Sequence, residues 1–147
     1  MKKFELTSEF VTFLGKKLFR IKALISFGNV KEGELGGYVE KEENLSNDGD
    51  AWVYGDAEVS GDAWVSGDAE VSGDADYATV HGFGSEYRTT TFFRTKAGDI
   101  GVRCGCFYGT LEEFRAKVKE THGETKTAKE YLMVADLMEF RFSKEEA

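Results

Sequence analysis

A six-residue phrase repeated five times between residues 49 and 78 constrains this chain more than any other feature. It reads GDAWVY, GDAEVS, GDAWVS, GDAEVS and GDADYA. A unit this short cannot bury its own apolar side chains, so successive units must stack on one another. The Ala and Val of each unit are two residues apart and point the same way in a strand. Because Gly-Asp favours a corner, the repeat predicts a β-solenoid.

The side-chain sizes in the repeat favour a coil with three sides. Three units per coil place residues 18 apart above one another, at a spacing of about 4.8 Å. Such a coil stacks Trp52 on Glu70, whereas a two-sided coil would stack Trp52 on Trp64. We favour three sides because Ala and Val are too small to fill a wider coil. The Ala and Val side chains are then expected to be buried, with Trp52 and Trp64 pointing outward.

One rotation of the phrase resembles a known repeat. Val-Ser-Gly-Asp-Ala-Glu is similar to the hexapeptide repeat of left-handed parallel β-helices, with an aliphatic residue and a small residue both pointing inward. This resemblance implies a short left-handed β-helix. Bactofilin-type polymerising proteins use similar six-residue windings, so the sequence leaves the handedness open.

The rest of the chain predicts a mainly β protein with a small helical part. Residues 1–36 are rich in strand-like segments and are expected to form a β cap over the open end of a solenoid that spans 37–82. Residues 83–147 are expected to form an α+β module. In it, a hairpin with its turn at 96–99 precedes two helices. The first helix has a capping box at Thr110 and Glu113 and ends at Gly123, and the second starts near Thr127.

The excess negative charge lies on the repeat. The chain has a net charge of −8, but residues 37–80 hold twelve acidic residues and a single lysine. Such a surface repels nucleic acid and anionic membranes and attracts basic surfaces. We therefore predict no direct nucleic-acid or membrane partner. The acidic surface expected to meet a partner comprises Asp50, Asp56, Glu58, Asp62, Asp68, Glu70, Asp74 and Asp76. The competing interpretation is that each Asp only stabilises its corner.

A second candidate surface combines basic and aromatic residues in the hairpin. Arginine beside aromatic rings suits a phosphate group with a stacked base. The candidate ligand-binding residues are Tyr87, Arg88, Phe92, Arg94, Lys96 and Arg103. The alternative is that the phenylalanine belongs to the core and the arginines protect an edge strand. Trp52, Tyr54 and Trp64 are expected to form contacts in a homo-oligomer, a dimer or trimer, because large apolar groups outside a narrow solenoid tend to mark interfaces.

Catalytic and metal-binding patterns are weak. Acyltransferases built from hexapeptide repeats use a histidine and longer coils, whereas here His81 follows the repeat and no loop interrupts it. Cys104 and Cys106 share a strand face but lack the usual C-x₂-C spacing of zinc sites. The nonapeptide pattern of calcium rolls does not fit a six-residue period. We therefore predict no enzyme activity, no cofactor and no metal.

Three phrases carry a resemblance that covers nearly the whole chain: KLFRIKALISFGNV, GELGGYVEKEENLS and CFYGTLEEFRAKVKETHG. They resemble a family of small phage and prophage proteins in Firmicutes, in which similar ends bracket a variable number of GDAxV repeats. Those proteins are often labelled only as hexapeptide-repeat or polymer-forming proteins. The resemblance implies a phage origin and a cytoplasmic setting in the infected cell. It implies no catalytic residues.

These observations predict a non-enzymatic phage accessory protein that antagonises host antiviral immunity. Two modes of action remain open. In the first, the protein sequesters a nucleotide immune signal, and in the second its acidic repeat blocks the nucleic-acid channel of a host immune protein. The alternative is a structural or polymerising protein of the phage or the infected cell.

Overall fold

A computed structural model describes residues 2–73, 76–83, 88–104 and 107–143, with only the backbone described for Phe83 and Arg88. Ten strands precede two helices along the chain. The strands are β1 (Phe4–Phe13), β2 (Lys16–Ala23), β3 (Leu35–Val39), β4 (Trp52–Val53), β5 (Glu58–Val59), β6 (Glu70–Val71), β7 (Tyr77–Phe83), β8 (Arg88–Arg94), β9 (Ile100–Cys104) and β10 (Phe107–Thr110). The helices are α1 (Leu111–His122) and α2 (Lys126–Phe142), and a 3₁₀ turn spans Glu42–Asn44.

The described strands form three small sheets. A four-stranded sheet has the order β1-β2-β3-β5, a second has the order β10-β9-β8-β7, and β4 pairs with β6. The second sheet is entirely antiparallel, and in the first only the β3–β5 pair is parallel. Strands β7 to β10 follow one another in the sheet as an antiparallel meander. The fold is therefore a mixed α+β arrangement.

The β-helix predicted from the repeat is wrong. Within the described residues no sheet closes on itself or winds as a solenoid. Between 49 and 72 the repeat contributes only the two-residue strands β4, β5 and β6, because each Gly-Asp corner ends a strand after one Ala-x-Val step. One of these strands joins the N-terminal sheet instead of a coil. The last unit runs into β7, which pairs antiparallel with β8, although the sequence had placed 77–82 in the solenoid.

Local features of the repeat are nevertheless as expected. Ala51, Ala57, Ala63 and Ala69 are at most 3% exposed, and all four repeat valines are fully buried. Trp52 pairs in parallel with Glu70, an offset of 18 residues. The other parallel pairs, Tyr38 with Glu58 and Leu45 with Val65, have an offset of 20 residues. The corner at 49 also lies against the corner at 67, since a Cβ on Gly49 would meet the Gly67 carbonyl oxygen at 2.6 Å.

The two hydrophobic cores meet at β8. One core contains the repeat alanines and valines together with side chains from β1, β2 and β3, and it includes Phe93. The other lies between the C-terminal sheet and the helices and includes Phe92. Because successive side chains point to opposite faces of a strand, β8 packs against the repeat with one face and against the helices with the other.

Helix α1 begins and ends where the sequence indicated, and α2 begins at Lys126, close to the expected start near Thr127. The Thr110 hydroxyl accepts a hydrogen bond from the Glu113 amide, and the Glu113 carboxylate accepts one from the Thr110 amide, which confirms the predicted capping box. Gly123 ends α1 with a φ of 60°, and its amide donates to the Lys119 carbonyl. Thr125 caps α2. The predicted hairpin is confirmed by the antiparallel pairing of β8 and β9.

Candidate binding cleft

Arg94 and Arg103, which the sequence grouped together, lie on opposite faces of the C-terminal sheet. Arg94 faces the helices: its guanidinium carbon is 5.4 Å from the centre of the Phe142 ring, and its Nε donates to Asp76 Oδ1 at 3.1 Å. Arg103 pairs across the sheet with Thr91, whose hydroxyl accepts a hydrogen bond from the Trp64 amide at 3.0 Å. Arg103 therefore faces the repeat, and the two arginines cannot hold one small ligand together.

The other candidate ligand-binding residues of the hairpin do not form a site with Arg94 or Arg103 in the part of the chain that is described. Phe92 is fully buried in the helical core. The Lys96 side chain is exposed, and its backbone amide donates to the Asp68 carbonyl at 2.9 Å. Tyr87 lies outside the described residues, as does the side chain of Arg88. Of the six candidates, Arg103 alone lines a cleft that the structure describes in full.

Arg103 and Trp64 form one wall of a small cleft between the repeat and the C-terminal sheet. The guanidinium carbon of Arg103 lies 3.7 Å from the centre of the Trp64 ring, which is a close cation–π contact. The cleft has a volume of about 230 Å³, and Ser66, Gly67 and Tyr108 also line it. The sequence had assigned these two residues to different roles, Arg103 to a ligand and Trp64 to an oligomer contact.

Tyr108 closes the other side of this cleft. Its ring stacks on Phe93 with 6.2 Å between centres and 13° between planes, and its hydroxyl donates to Asp68 Oδ1 at 3.2 Å. Burial and the nearby Asp68 carboxylate raise the pKa of the Tyr108 hydroxyl. Gly67 makes this packing possible, because any Cβ there would overlap the Tyr108 hydroxyl. Gly67 thus allows the Tyr108 ring to pack directly against this corner of the repeat.

Two enclosed polar atoms at this cleft lack hydrogen-bond partners among the described residues. They are Nε of Arg103 and Oγ of Ser66. Ser66 is 2% exposed. An unpaired enclosed polar atom costs about 1–3 kcal/mol, so both atoms mark positions where a hydrogen-bond partner is expected.

A larger cleft adjoins the small one and shares Trp64, Ser46 and Asp48 with it. Its volume is about 630 Å³. Leu45, Ala63 and Trp64 contribute apolar surface. The charged residues around it are Lys2, Lys41, Glu42, Glu43, Asp48 and Asp62. Lys2 pairs with Glu42, and Lys41 pairs with Asp62 at 3.1 Å, so carboxylates outnumber unpaired cations around this cleft.

Four of the eight acidic candidates have partners within the chain. Asp56 pairs with Arg20 at 3.1 Å, Asp62 with Lys41, and Asp76 with Arg94. The hydrogen bond from Lys41 lowers the pKa of Asp62. Asp68 accepts a hydrogen bond from Tyr108, Asp50 is exposed, and Glu58 and Glu70 are half-buried. Asp74 lies outside the described residues. The acidic residues are therefore divided among several local networks.

Trp52 does not form the exposed contact that the repeat predicted. It is fully buried, with its ring edge-on to Phe4 at 6.4 Å and to Phe27 at 5.3 Å. The N-terminal segment covers the side of the repeat that carries Trp52, a packing that the six-residue period does not encode. Tyr54 is half-buried, and burial with nearby carboxylates, Glu70 first among them, raises the pKa of its hydroxyl. Trp64 remains 36% exposed.

Two basic residues that the sequence did not single out join the N-terminal strands to the repeat. Lys3 is 1% exposed, and its Nζ donates to the Ala51 carbonyl at 2.7 Å and to the Gly49 carbonyl at 3.3 Å. Burial lowers the pKa of Lys3 to about 8, although Asp50 and Asp48 act in the opposite direction. No local pattern distinguishes Lys3 from the exposed Lys2 beside it.

Arg20 makes the second connection. Its Nε donates to Glu9 at 2.7 Å, and its terminal nitrogens donate to the Gly36 carbonyl at 2.7 Å and to Asp56 at 3.1 Å. The hydrogen bond to Glu9 is the largest of the interactions that raise the pKa of Arg20. The side chain thus links β1, β2, β3 and one corner of the repeat.

The described residues provide no grouping of three His, Cys, Asp or Glu side chains able to hold a metal ion. Cys104 is half-buried and accepts a hydrogen bond from the Thr90 hydroxyl at 3.2 Å. Cys106 lies outside the described residues. In the part of the chain that is described, neither helix has the length and apolarity needed to cross a membrane.

No protein-family model matches the chain, and no curated protein matches its sequence.

Proposed function

We propose that this chain is a non-catalytic binding protein that holds an anionic ligand with a planar ring, a nucleotide, at the Trp64–Arg103 cleft. The observation that carries this proposal is the stack of Arg103 on Trp64 beside two unpaired polar atoms, Arg103 Nε and Ser66 Oγ. Arginine recognises phosphate through charge-assisted hydrogen bonds, and tryptophan offers an aromatic surface to a base.

The cleft geometry favours a phosphate near Arg103 and a base along Trp64. The guanidinium covers the Trp64 ring in the small cleft, whereas Trp64 also borders the larger cleft. A base stacked against Trp64 from the larger cleft would place its phosphate near Arg103 and the Ser66 hydroxyl. The small cleft alone is too narrow for a whole nucleotide, since ligand sites usually measure about 300–1,000 Å³. The proposed site therefore includes both clefts.

Sequestration in an infected bacterial cell is the biological role that fits this site. The resemblance to small phage proteins points to the host cytoplasm, where a nucleotide signal of antiviral immunity is a suitable ligand. A protein that binds such a signal without converting it would lower its free concentration by mass action.

The other binding mode, in which the acidic repeat blocks a nucleic-acid-binding host protein, has less support. Asp56, Asp62 and Asp76 are ion-paired within the chain, so a basic partner would have to displace Arg20, Lys41 and Arg94. A structural or polymerising role would rely on stacked repeat coils, and the described strands form none. Nucleotide capture is therefore the function that we propose.

Binding can be tested by isothermal titration calorimetry with a panel of nucleoside monophosphates and cyclic dinucleotides. The matching nucleosides and inorganic phosphate serve as partial ligands. We expect at least one nucleotide to bind, and Arg103→Ala to weaken it roughly tenfold to a hundredfold, the loss of one charge-assisted hydrogen bond of about 1.5–3 kcal/mol. Trp64→Ala should weaken binding as well.

Arg94→Ala is the matched control, because Arg94 lies in the same hairpin on the opposite face of the sheet. It should leave the affinity unchanged. If no nucleotide binds, or if Arg94→Ala and Arg103→Ala weaken binding equally, the proposed site is wrong. The role in immunity is tested separately, by asking whether the Arg103→Ala variant still restores phage growth on a host that carries a nucleotide-signalling defence.

A further inference from the structure

The turn between β1 and β2 places a leucine where the backbone disfavours one. Leu14 has a φ of +50° and is followed by Gly15 with a φ of +81°. Two consecutive positive φ values are typical of a type I′ hairpin turn, in which Asn-Gly is strongly preferred. A side chain such as leucine costs about 1–2 kcal/mol in this conformation. Among the described residues, Leu14 is the only non-glycine residue with a positive φ.

Nothing within the described chain compensates for this cost. Leu14 is 85% exposed, and the neighbouring Phe13 and Phe10 are 50% and 45% exposed. We call Phe10, Phe13 and Leu14 the apolar tip. Strained residues usually persist where function requires them. An exposed leucine at such a position therefore indicates a surface that is buried in a complex.

The apolar tip also carries positive charge. Lys16 and Lys17 follow the turn directly, and Lys17 Nζ lies 4.7 Å from the centre of the Phe10 ring. The larger cleft beside Trp64 has the complementary character. Its apolar surface comes from Leu45, Ala63 and Trp64, and its charged residues are predominantly acidic. A basic apolar projection and an acidic apolar cleft thus occur on the same chain.

The tip and the cleft are close neighbours. Lys16 Nζ, at the base of the tip, lies 3.8 Å from Glu40 Oε2, and Glu40 Oε1 accepts a hydrogen bond from the Gly61 amide at 2.7 Å. Gly61 precedes Asp62, which lines the cleft. When a projection lies beside the cleft that complements it, a two-fold axis can place the projection of each copy in the cleft of the other copy. Such an interface closes as a dimer and does not propagate into a filament.

We propose that the apolar tip of one copy docks in the larger cleft of a second copy, and that the exchange is reciprocal. Leu14 and Phe13 would cover the surface formed by Leu45, Ala63 and Trp64, while Lys16 and Lys17 would approach the acidic residues at its edge. This interface replaces the one predicted through Trp52 and Tyr54, which are buried and half-buried. The docked tip and the base proposed above would both cover Trp64 in the larger cleft, so dimer formation and nucleotide binding exclude each other there, and the dimer is tested without nucleotide.

The test is the Leu14→Asn variant, studied by light scattering coupled to size-exclusion chromatography at tens of micromolar protein. Asparagine suits the positive φ better than leucine. The folded monomer of this variant should therefore melt at the same temperature as the wild-type monomer or higher. We expect the wild-type mass to be that of two chains and the variant mass to be that of one. Misfolding cannot explain a loss of mass in a variant whose turn is improved.

Leu35→Asn is the matched control, because Leu35 is also an exposed leucine, at 52%, but lies away from the turn at the start of β3. It should remain dimeric. Glu43→Lys at the cleft should weaken the dimer several-fold, since it places a cation opposite Lys16 and Lys17, whereas Glu124→Lys beyond α1 should not. A monomeric wild type, or a Leu14→Asn variant with the wild-type mass, would overturn the proposal.

Discussion

Phe92 and Phe93 are consecutive residues of β8, and both are fully buried, yet they belong to different cores. Phe92 packs edge-on against Phe114 of α1 at 5.9 Å, whereas Phe93 stacks on Tyr108 and joins the core of the repeat. This alternation makes the C-terminal sheet a wall between the repeat and the helices. It also separates Arg94 from Arg103, which leaves Arg103 alone to face Trp64.

The first prediction concerns the core of the repeat. Val65 is fully buried and forms a parallel bridge with Leu45. Val65→Asp would bury an unpaired carboxylate, which costs several kcal/mol and is comparable to the whole stability of a domain of this size. We expect this variant to lack cooperative unfolding in urea, followed by circular dichroism. Thr12→Asp, which adds the same charge on an exposed strand position opposite Lys17, should unfold like the wild type.

The second prediction concerns Lys3 and pH. Its pKa falls from 10.5 to about 8 on folding, so between these values the unfolded chain binds more protons than the folded one. Stability therefore increases with pH across this window, and the contribution of Lys3 is lowest below pH 8. Urea unfolding at several pH values should show the wild type gaining stability relative to Lys3→Met as pH rises from 8 to 10.5. Lys2→Met, at an exposed position, should show no such difference.

The third prediction concerns Arg20, which holds two carboxylates and a backbone carbonyl with one planar group. Lys retains the charge but cannot donate in three fixed directions. We expect Arg20→Lys to reduce the free energy of unfolding by about 1–3 kcal/mol, the cost of leaving a half-buried acceptor unpaired. Lys17→Arg serves as a comparison at an exposed position. An unchanged urea midpoint for Arg20→Lys would show that the network contributes little.

The fourth prediction concerns the corner aspartates. Changing Asp50, Asp56, Asp62, Asp68 and Asp74 to Asn preserves turn preference and moves the net charge from −8 to −3. If the protein captures a nucleotide, the affinity should be nearly unchanged, and it should rise slightly at low salt because the surface repels anions less. A sharp loss of phage rescue with intact nucleotide binding would instead favour contact between the acidic surface and a basic host protein.

Much of the local structure could be predicted from the sequence. The two-residue spacing of Ala and Val specified which repeat side chains point inward, and the capping box at Thr110 and Glu113 fixed the start of α1. The hairpin of β8 and β9 followed from strand-forming residues around a Gly-Asp turn. Each of these features depends on residues within a few positions of one another, so a single sequence carries the information.

Only the tertiary structure decided how these pieces meet. Trp52 and Trp64 occupy the same slot of the repeat, yet Phe4 and Phe27 cover the first, while Arg103 covers one side of the second and leaves it partly exposed. Lys3 is buried because the Ala51 carbonyl, 48 residues away, accepts its hydrogen bond. The repeat does not form a coil of its own: β3 pairs with β5, and Thr95, the residue after β8, forms an antiparallel bridge with Ala69. The period of the repeat predicts which way a side chain points. Whether that side chain is buried depends on segments distant in the sequence, and the repeat contains no information about how they pack.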